Sequence, residues 1–103
     1  MALEAVTGDP FDALGDSNRR AIVELLRHGD HSVQELADEL PISRPAVSRH
    51  LRLLKDAGLV TSRAEGTRSL YRLHDQGIDA VRSYLEEVWG EAAARFKLFA
   101  ENS

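Results

Sequence analysis

The side chains best suited to chemistry in this chain are cationic and hydroxylic, and they are bunched. Between Ser43 and Arg72 stand Arg44, Arg49, Arg52, Lys55, Arg63, Arg68 and Arg72, opposed only by Asp56 and Glu65. That stretch carries +5 and the other 73 residues carry −9, within a 103-residue chain of formal charge −4. A basic block on an acidic body is the electrostatic footprint of a polyanion-binding surface; the plain alternative is a solvated charged face. Guanidinium forks match phosphates and guanine edges, and Ser43 and Ser48 set hydroxyls among them. Catalysis has little to work with. Ser48 and His50 lie two apart, so on a helix they face different sides and cannot form a nucleophile–base pair. No glycine-rich phosphate loop is present, and no enzyme is expected. With Cys 0 there is no thiolate metal site, disulfide framework or thiol switch. His28 and His31 have no third ligand near in sequence and read as exposed loop histidines, so neither metal nor cofactor is expected.

The basic residues mean something only through the elements that hold them. Asp9-Pro10 reads as an N-cap and first-turn proline of a short helix through Leu14, which Gly15-Asp16 interrupts. A second helix runs from about Ser17 to Arg27, and Gly29 ends it. Ser32-Val33-Gln34-Glu35 has capping-box form, and Val33, Leu36, Ala37 and Leu40 follow at i, i+3, i+4, i+7, so one face of this third helix is buried. Pro41-Ile42 turns the chain sharply. Ser43 caps a fourth helix with Pro45 in its first turn, continuing to Ala57 and stopping at Gly58.

At about 100° per residue the fourth helix separates its faces. Ala46, Val47, Leu51, Leu53, Leu54 and Ala57 share one arc; Arg44, Ser48, Arg49, Arg52 and Lys55 share the other. His50 lies with Val47, Leu51 and Leu54 and reads as a packed, hydrogen-bonded core histidine. A basic, capped helix after a tight turn from a shorter amphipathic one is a helix-turn-helix arrangement. Its N-terminal residues would face base edges in the major groove while longer cations reach phosphates. Leu59–Arg63 and Arg68–Leu73, flanking a turn at Ala64-Glu65-Gly66-Thr67, read as a hairpin, and His74 ends its second strand. A hairpin directly after such a helix is a wing.

From Asp75 a long helix is predicted almost to the C-terminus. Ile78, Val81, Leu85, Val88, Trp89, Ala92, Phe96 and Phe99 form an apolar stripe at helical spacing. Short helices of so small a chain cannot easily cover it, so a twin chain is the expected cover, with Phe11 and Leu14 of the first helix joining the contact; partial burial in the chain's own core is the alternative. The fold class expected is mainly α: a winged helix-turn-helix with a two-stranded β-hairpin wing and a long C-terminal dimerisation helix. The domain layout is one unit over 1–103: an N-terminal dimer-contact segment 1–15, a helical core 16–58 with the helix-turn-helix at 33–57, the wing 59–73, and the last helix 75–100. The opening residues have no basic region or apolar core, and no apolar run nears the roughly 18 residues a membrane helix needs, so a cytoplasmic protein without membrane contact is expected.

Several strings resemble the arsenical-resistance-repressor (ArsR) family of bacterial winged-helix regulators. They are Leu14-Gly15-Asp16-Ser17-Asn18-Arg19-Arg20, Val33-Gln34-Glu35-Leu36-Ala37, Ile42-Ser43-Arg44-Pro45-Ala46-Val47-Ser48-Arg49-His50-Leu51, Leu54-Lys55-Asp56-Ala57-Gly58-Leu59-Val60 and the hairpin Glu65–Leu73. The resemblance implies a homodimeric transcriptional repressor, joined by its first and last helices, that binds an inverted repeat in double-stranded DNA, often near its own promoter. By position it implies a recognition surface of Ser43, Arg44, Pro45, Ser48, Arg49 and Arg52. Gln34 would reach the DNA backbone, and Arg63, Thr67 and Arg68 would serve from the wing. The departures also matter. Founding members carry a cysteine-valine-cysteine motif where this chain has Ser32, Val33 and Gln34. Other members bind zinc or nickel across the last helix through Asp and His pairs, whereas that helix here has Asp79, Glu86, Glu87 and Glu91 but no histidine, the nearest being His74. Metal sensing is not expected. A small-molecule effector stays open, since the aromatics of the stripe could border an apolar pocket between subunits. The rival reading is a winged helix whose basic face meets an acidic protein partner; strong salt dependence with preference for one duplex separates the two.

Overall fold

A computed structural model describes residues 8–92 together with Arg95 and Ala100. Five α-helices and three strands follow in chain order: α1 Pro10–Ala13, α2 Ser17–Leu26, β1 His31–Ser32, α3 Val33–Glu39, α4 Arg44–Asp56, β2 Val60–Glu65, β3 Arg68–Leu73 and α5 Asp75–Leu85. A side chain caps each of the first four helices. Asp9 accepts from the Phe11 amide at 2.8 Å, and Asp16 accepts from those of Asn18 and Arg19 at 2.8 and 3.1 Å. Ser32 and Glu35 close a reciprocal box, and Ser43 accepts from Ala46 at 3.3 Å. Each cap satisfies amides that the helix leaves without carbonyl partners, which is why the boundaries fall where the sequence puts them.

One core joins these elements. Ile22 from α2, Leu36 from α3, Val47, Leu51 and Leu54 from α4, and Leu59 and Val60 at the foot of the hairpin are all essentially inaccessible. Removing one such leucine to alanine costs roughly 2–5 kcal/mol, so this cluster fixes the angle at which α4 leaves α3. Leu53 departs from the expected arc: it is exposed. It sits at the margin of the apolar face, where it lines an open recess with Ala13 and Ala57.

The sheet has three antiparallel strands in the order β1-β3-β2, not the two of a simple wing. His31 pairs with Tyr71 and Ser32 with Leu70. The added strand follows from the cap: an N-cap residue has extended dihedrals (Ser32 φ −82, ψ 167), and that backbone docks on the open edge of β3. The hairpin turn is also tighter than the four residues expected. Glu65 and Arg68 form the last pair, leaving Gly66-Thr67 as a two-residue loop with Gly66 at φ 63, a conformation glycine reaches without strain.

α5 is anchored at its base. The His74 amide donates to the Leu59 carbonyl at 2.9 Å, and a Cβ on Gly77 would stand 1.8 Å from the Gly58 carbonyl oxygen. Only glycine allows that approach. The helix continues beyond Leu85 through a π-helical turn at Glu86–Gly90. Phe96 and Phe99, expected on its stripe, lie outside the described residues.

Candidate nucleic-acid interface

Ser43, held as the cap, and Pro45 in the first turn aim α4 outward from the core. Arg44, Ser48, Arg49, Arg52 and Lys55 are exposed on the arc opposite Val47, Leu51 and Leu54. Among the described residues, the guanidinium groups of Arg44, Arg49 and Arg52 have no hydrogen-bond or ion-pair partner within the chain; Lys55 donates to the Ser62 hydroxyl at 3.0 Å. A solvated cation with no internal partner keeps all its donors available for phosphates or base edges.

His50 belongs to the core side of α4, 6% exposed, with Nδ1 3.3 Å from the Arg19 guanidinium. Arginine can only donate, so in this contact Nδ1 is the acceptor. Arg19 also donates to the Ala13 carbonyl at 2.6 Å, stitching the end of α1 to α4. The His50 contact is invisible in local sequence because its partner is 31 residues away.

The neighbouring elements converge on the same region. Gln34 on α3, Arg44 on α4 and Thr67, Arg68 and Ser69 of the wing line one open recess, with Val33 and Tyr71 among its walls. Gln34 is exposed and donates to Asp38 at 2.7 Å. Two wing arginines, Arg63 and Arg68, differ from those of α4 in having internal partners, which no local pattern shows; Arg72 on β3 is exposed and has no hydrogen bond or ion pair among the described residues. Arg63 bonds Asp30 and reaches Glu65 at 3.3 Å; Arg68 stands 3.7 Å from both Glu35 and Glu65. The Arg63 guanidinium holds the Asp30 carboxyl below the usual carboxylate range. Glu35 is lowered chiefly by the Ser32 amide it accepts from, and Asp16 by the Arg19 amide.

The residues expected at a subunit contact fall into two sets. Leu14 and Val81 are half-buried against the chain's own core. Phe11, Leu85, Val88, Trp89 and Ala92 are exposed, Trp89 by 61%. Tyr84, not anticipated, joins them: its ring meets Phe11 edge-on with centroids 5.1 Å apart. Its position three residues after Val81 and four before Val88 was the available signal. Among the described residues no three metal-ligating side chains cluster, and no helix is long and apolar enough to cross a membrane.

The model of the bacterial regulatory protein arsR family matches residues 16–62, from the cap of α2 into the wing. The HTH-type transcriptional regulator Rv2034 of Mycobacterium tuberculosis is 52% identical over 82 residues, spanning 80% of this chain and 77% of that protein. This chain belongs to the ArsR family. The HTH-type transcriptional repressor SmtB of Mycobacterium tuberculosis is 46% identical over 68 residues, covering 66% of this chain and 50% of that one. The solved ArsR-like transcriptional regulator from Rhodococcus sp. RHA1 superposes with a TM-score of 0.71 at 32% identity, covering 90% of this chain and 88% of that one. The winged helix-turn-helix is therefore the fold, and ArsR membership makes the chain a DNA-binding transcription regulator rather than an enzyme.

Proposed function

We propose that this chain is a homodimeric repressor that grips an inverted repeat, each subunit placing α4 in the major groove and its wing along the backbone. Arg44, Arg49 and Arg52 beside Ser43, Pro45 and Ser48 carry this reading, since they form a basic surface whose guanidinium donors have no partner among the described residues. Gln34, Thr67 and Arg68 border the same surface and would hold phosphates; Arg63 stands further down the wing. The whole chain would act as one unit. Phe11, Tyr84, Leu85, Val88 and Trp89 form an exposed apolar face that a second copy would cover, and a two-fold dimer supplies paired half-sites. The protein would not sense metal in the manner of thiolate members: the chain has no cysteine, and Ser32 at the first matching position is occupied as a helix cap.

Fluorescence anisotropy with a labelled duplex from upstream of the chain's own gene, beside a scrambled duplex of equal length at two salt concentrations, tests this. Preferential binding to the first, weakening steeply with salt, is the expected result. Equal binding to both would remove the specific-repressor reading. No binding to either at low salt would remove DNA and favour an acidic protein partner.

A further inference from the structure

The two basic elements of the proposed interface are not equivalent. Among the described residues the arginines of α4 are unpaired, whereas Arg63 and Arg68 of the wing each meet two carboxylates. The register explains the grouping: Arg63 lies opposite Leu70, and Glu65 opposite Arg68. With side chains alternating along a strand, Arg63, Glu65 and Arg68 share one hairpin face. Glu65 touches both arginines, 3.3 Å from Arg63 and 3.7 Å from Arg68. Asp30 arrives from the loop before β1 and Glu35 from the first turn of α3. Glu35 cannot swing away cheaply, because its carboxylate accepts from the Ser32 amide at 2.8 Å in the capping box. Arg68 also lines the recess that Arg44 of α4 lines, so its partners Glu35 and Glu65 stand beside the surface offered to the backbone, with Asp30 further down the wing.

We propose that Asp30, Glu35 and Glu65 form an intramolecular anion screen that occupies Arg63 and Arg68 and tempers their affinity for DNA phosphates. The proposal rests on the DNA reading above. All of these side chains are partly exposed, and exposed ion pairs are weak enough for a phosphate to displace. A displaced carboxylate then remains beside a polyanion. It repels the backbone and takes up a cation, cancelling part of the counterion release that drives association. The screen therefore limits sequence-independent binding and leaves discrimination to α4, whose arginines it does not reach.

Glu65→Gln is the decisive variant, because Glu65 caps nothing and is exposed. Anisotropy of full-length protein with the upstream and scrambled duplexes should show roughly three- to tenfold tighter binding to both, with their ratio unchanged. The salt slope should steepen by up to about 0.9. Asp30→Asn, which relieves chiefly Arg63 and leaves Arg68 paired, should move affinity the same way by less. The gain from Glu65→Gln should shrink by at least half in an Arg63→Ala/Arg68→Ala background. Unchanged or weaker binding by Glu65→Gln, alongside normal wild-type binding, overturns the screen and leaves the DNA reading intact. A gain undiminished without the arginines also overturns it, since repulsion alone would then be acting. Wild-type protein that binds neither duplex at low salt removes the DNA reading and the screen together.

Discussion

The outer faces of α4 and α5 are both exposed helix surfaces, yet their chemistry is opposite. That of α4 carries arginines and hydroxyls that water solvates well. That of α5 carries Tyr84, Leu85, Val88 and Trp89, which water solvates poorly. A charged face can wait in solvent at little cost, so α4 needs no cover until a polyanion arrives. An apolar face gains free energy from any cover, on the order of 25 cal/mol per Å², so α5 is under standing pressure to pair. The same helical geometry thus yields one surface that water covers readily and one that it does not.

The comparison is broken most forcefully on the α5 side. Val88→Asp or Trp89→Ala should convert a dimer to monomer in sedimentation, and loss of bivalency should weaken operator binding by about 10²-fold or more. Circular dichroism should show helix content retained, because these side chains already lie outside the core. A wild-type protein that sediments as a monomer would end the distinction between the two faces. On the α4 side, Arg44→Ala or Arg49→Ala should cost about 1–3 kcal/mol and relax preference at one base step, read by competition with single-substitution duplexes. If neither changes affinity or preference, α4 is not the reading element.

A smaller effect sharpens the difference between α4 and the wing. Arg68→Ala should weaken upstream and scrambled duplexes alike, by less than about tenfold, and make the salt slope shallower by up to about 0.9. The smallest effect concerns pH. Asp16, Asp30 and Glu35 have folded-state values below their ordinary ones. Their stabilisation is therefore fully present above the unfolded carboxylate values near 4 and is lost as pH falls through the lower folded values. In thermal melts the contribution of these carboxylates should be lost only below about pH 4, with Asp16→Asn making that decline gentler.

Much of this architecture is written in short windows. The caps at Asp9, Asp16, Ser32 and Ser43 act within three residues of themselves, so helix starts could be read directly. The periodicity of α4 divided core from surface except at Leu53, where the arc margin was misjudged because burial there depends on what packs opposite. The third strand escaped notice because two residues are too few to display alternation. Tyr84 was overlooked on a stripe drawn through its neighbours.

The sequence by itself determined the helices, the hairpin, the core histidine and the concentration of positive charge between Ser43 and Arg72, because each depends on near neighbours or on a helical repeat. Only the tertiary structure decided which of those charges stay unpaired. Arg63 meets Asp30 across 33 residues and Arg68 meets Glu35 across the same separation, while Gly77 closes on Gly58 and β1 docks on β3. Such partners are chosen by how the core sets one element against another, and no local pattern of residue types carries that choice.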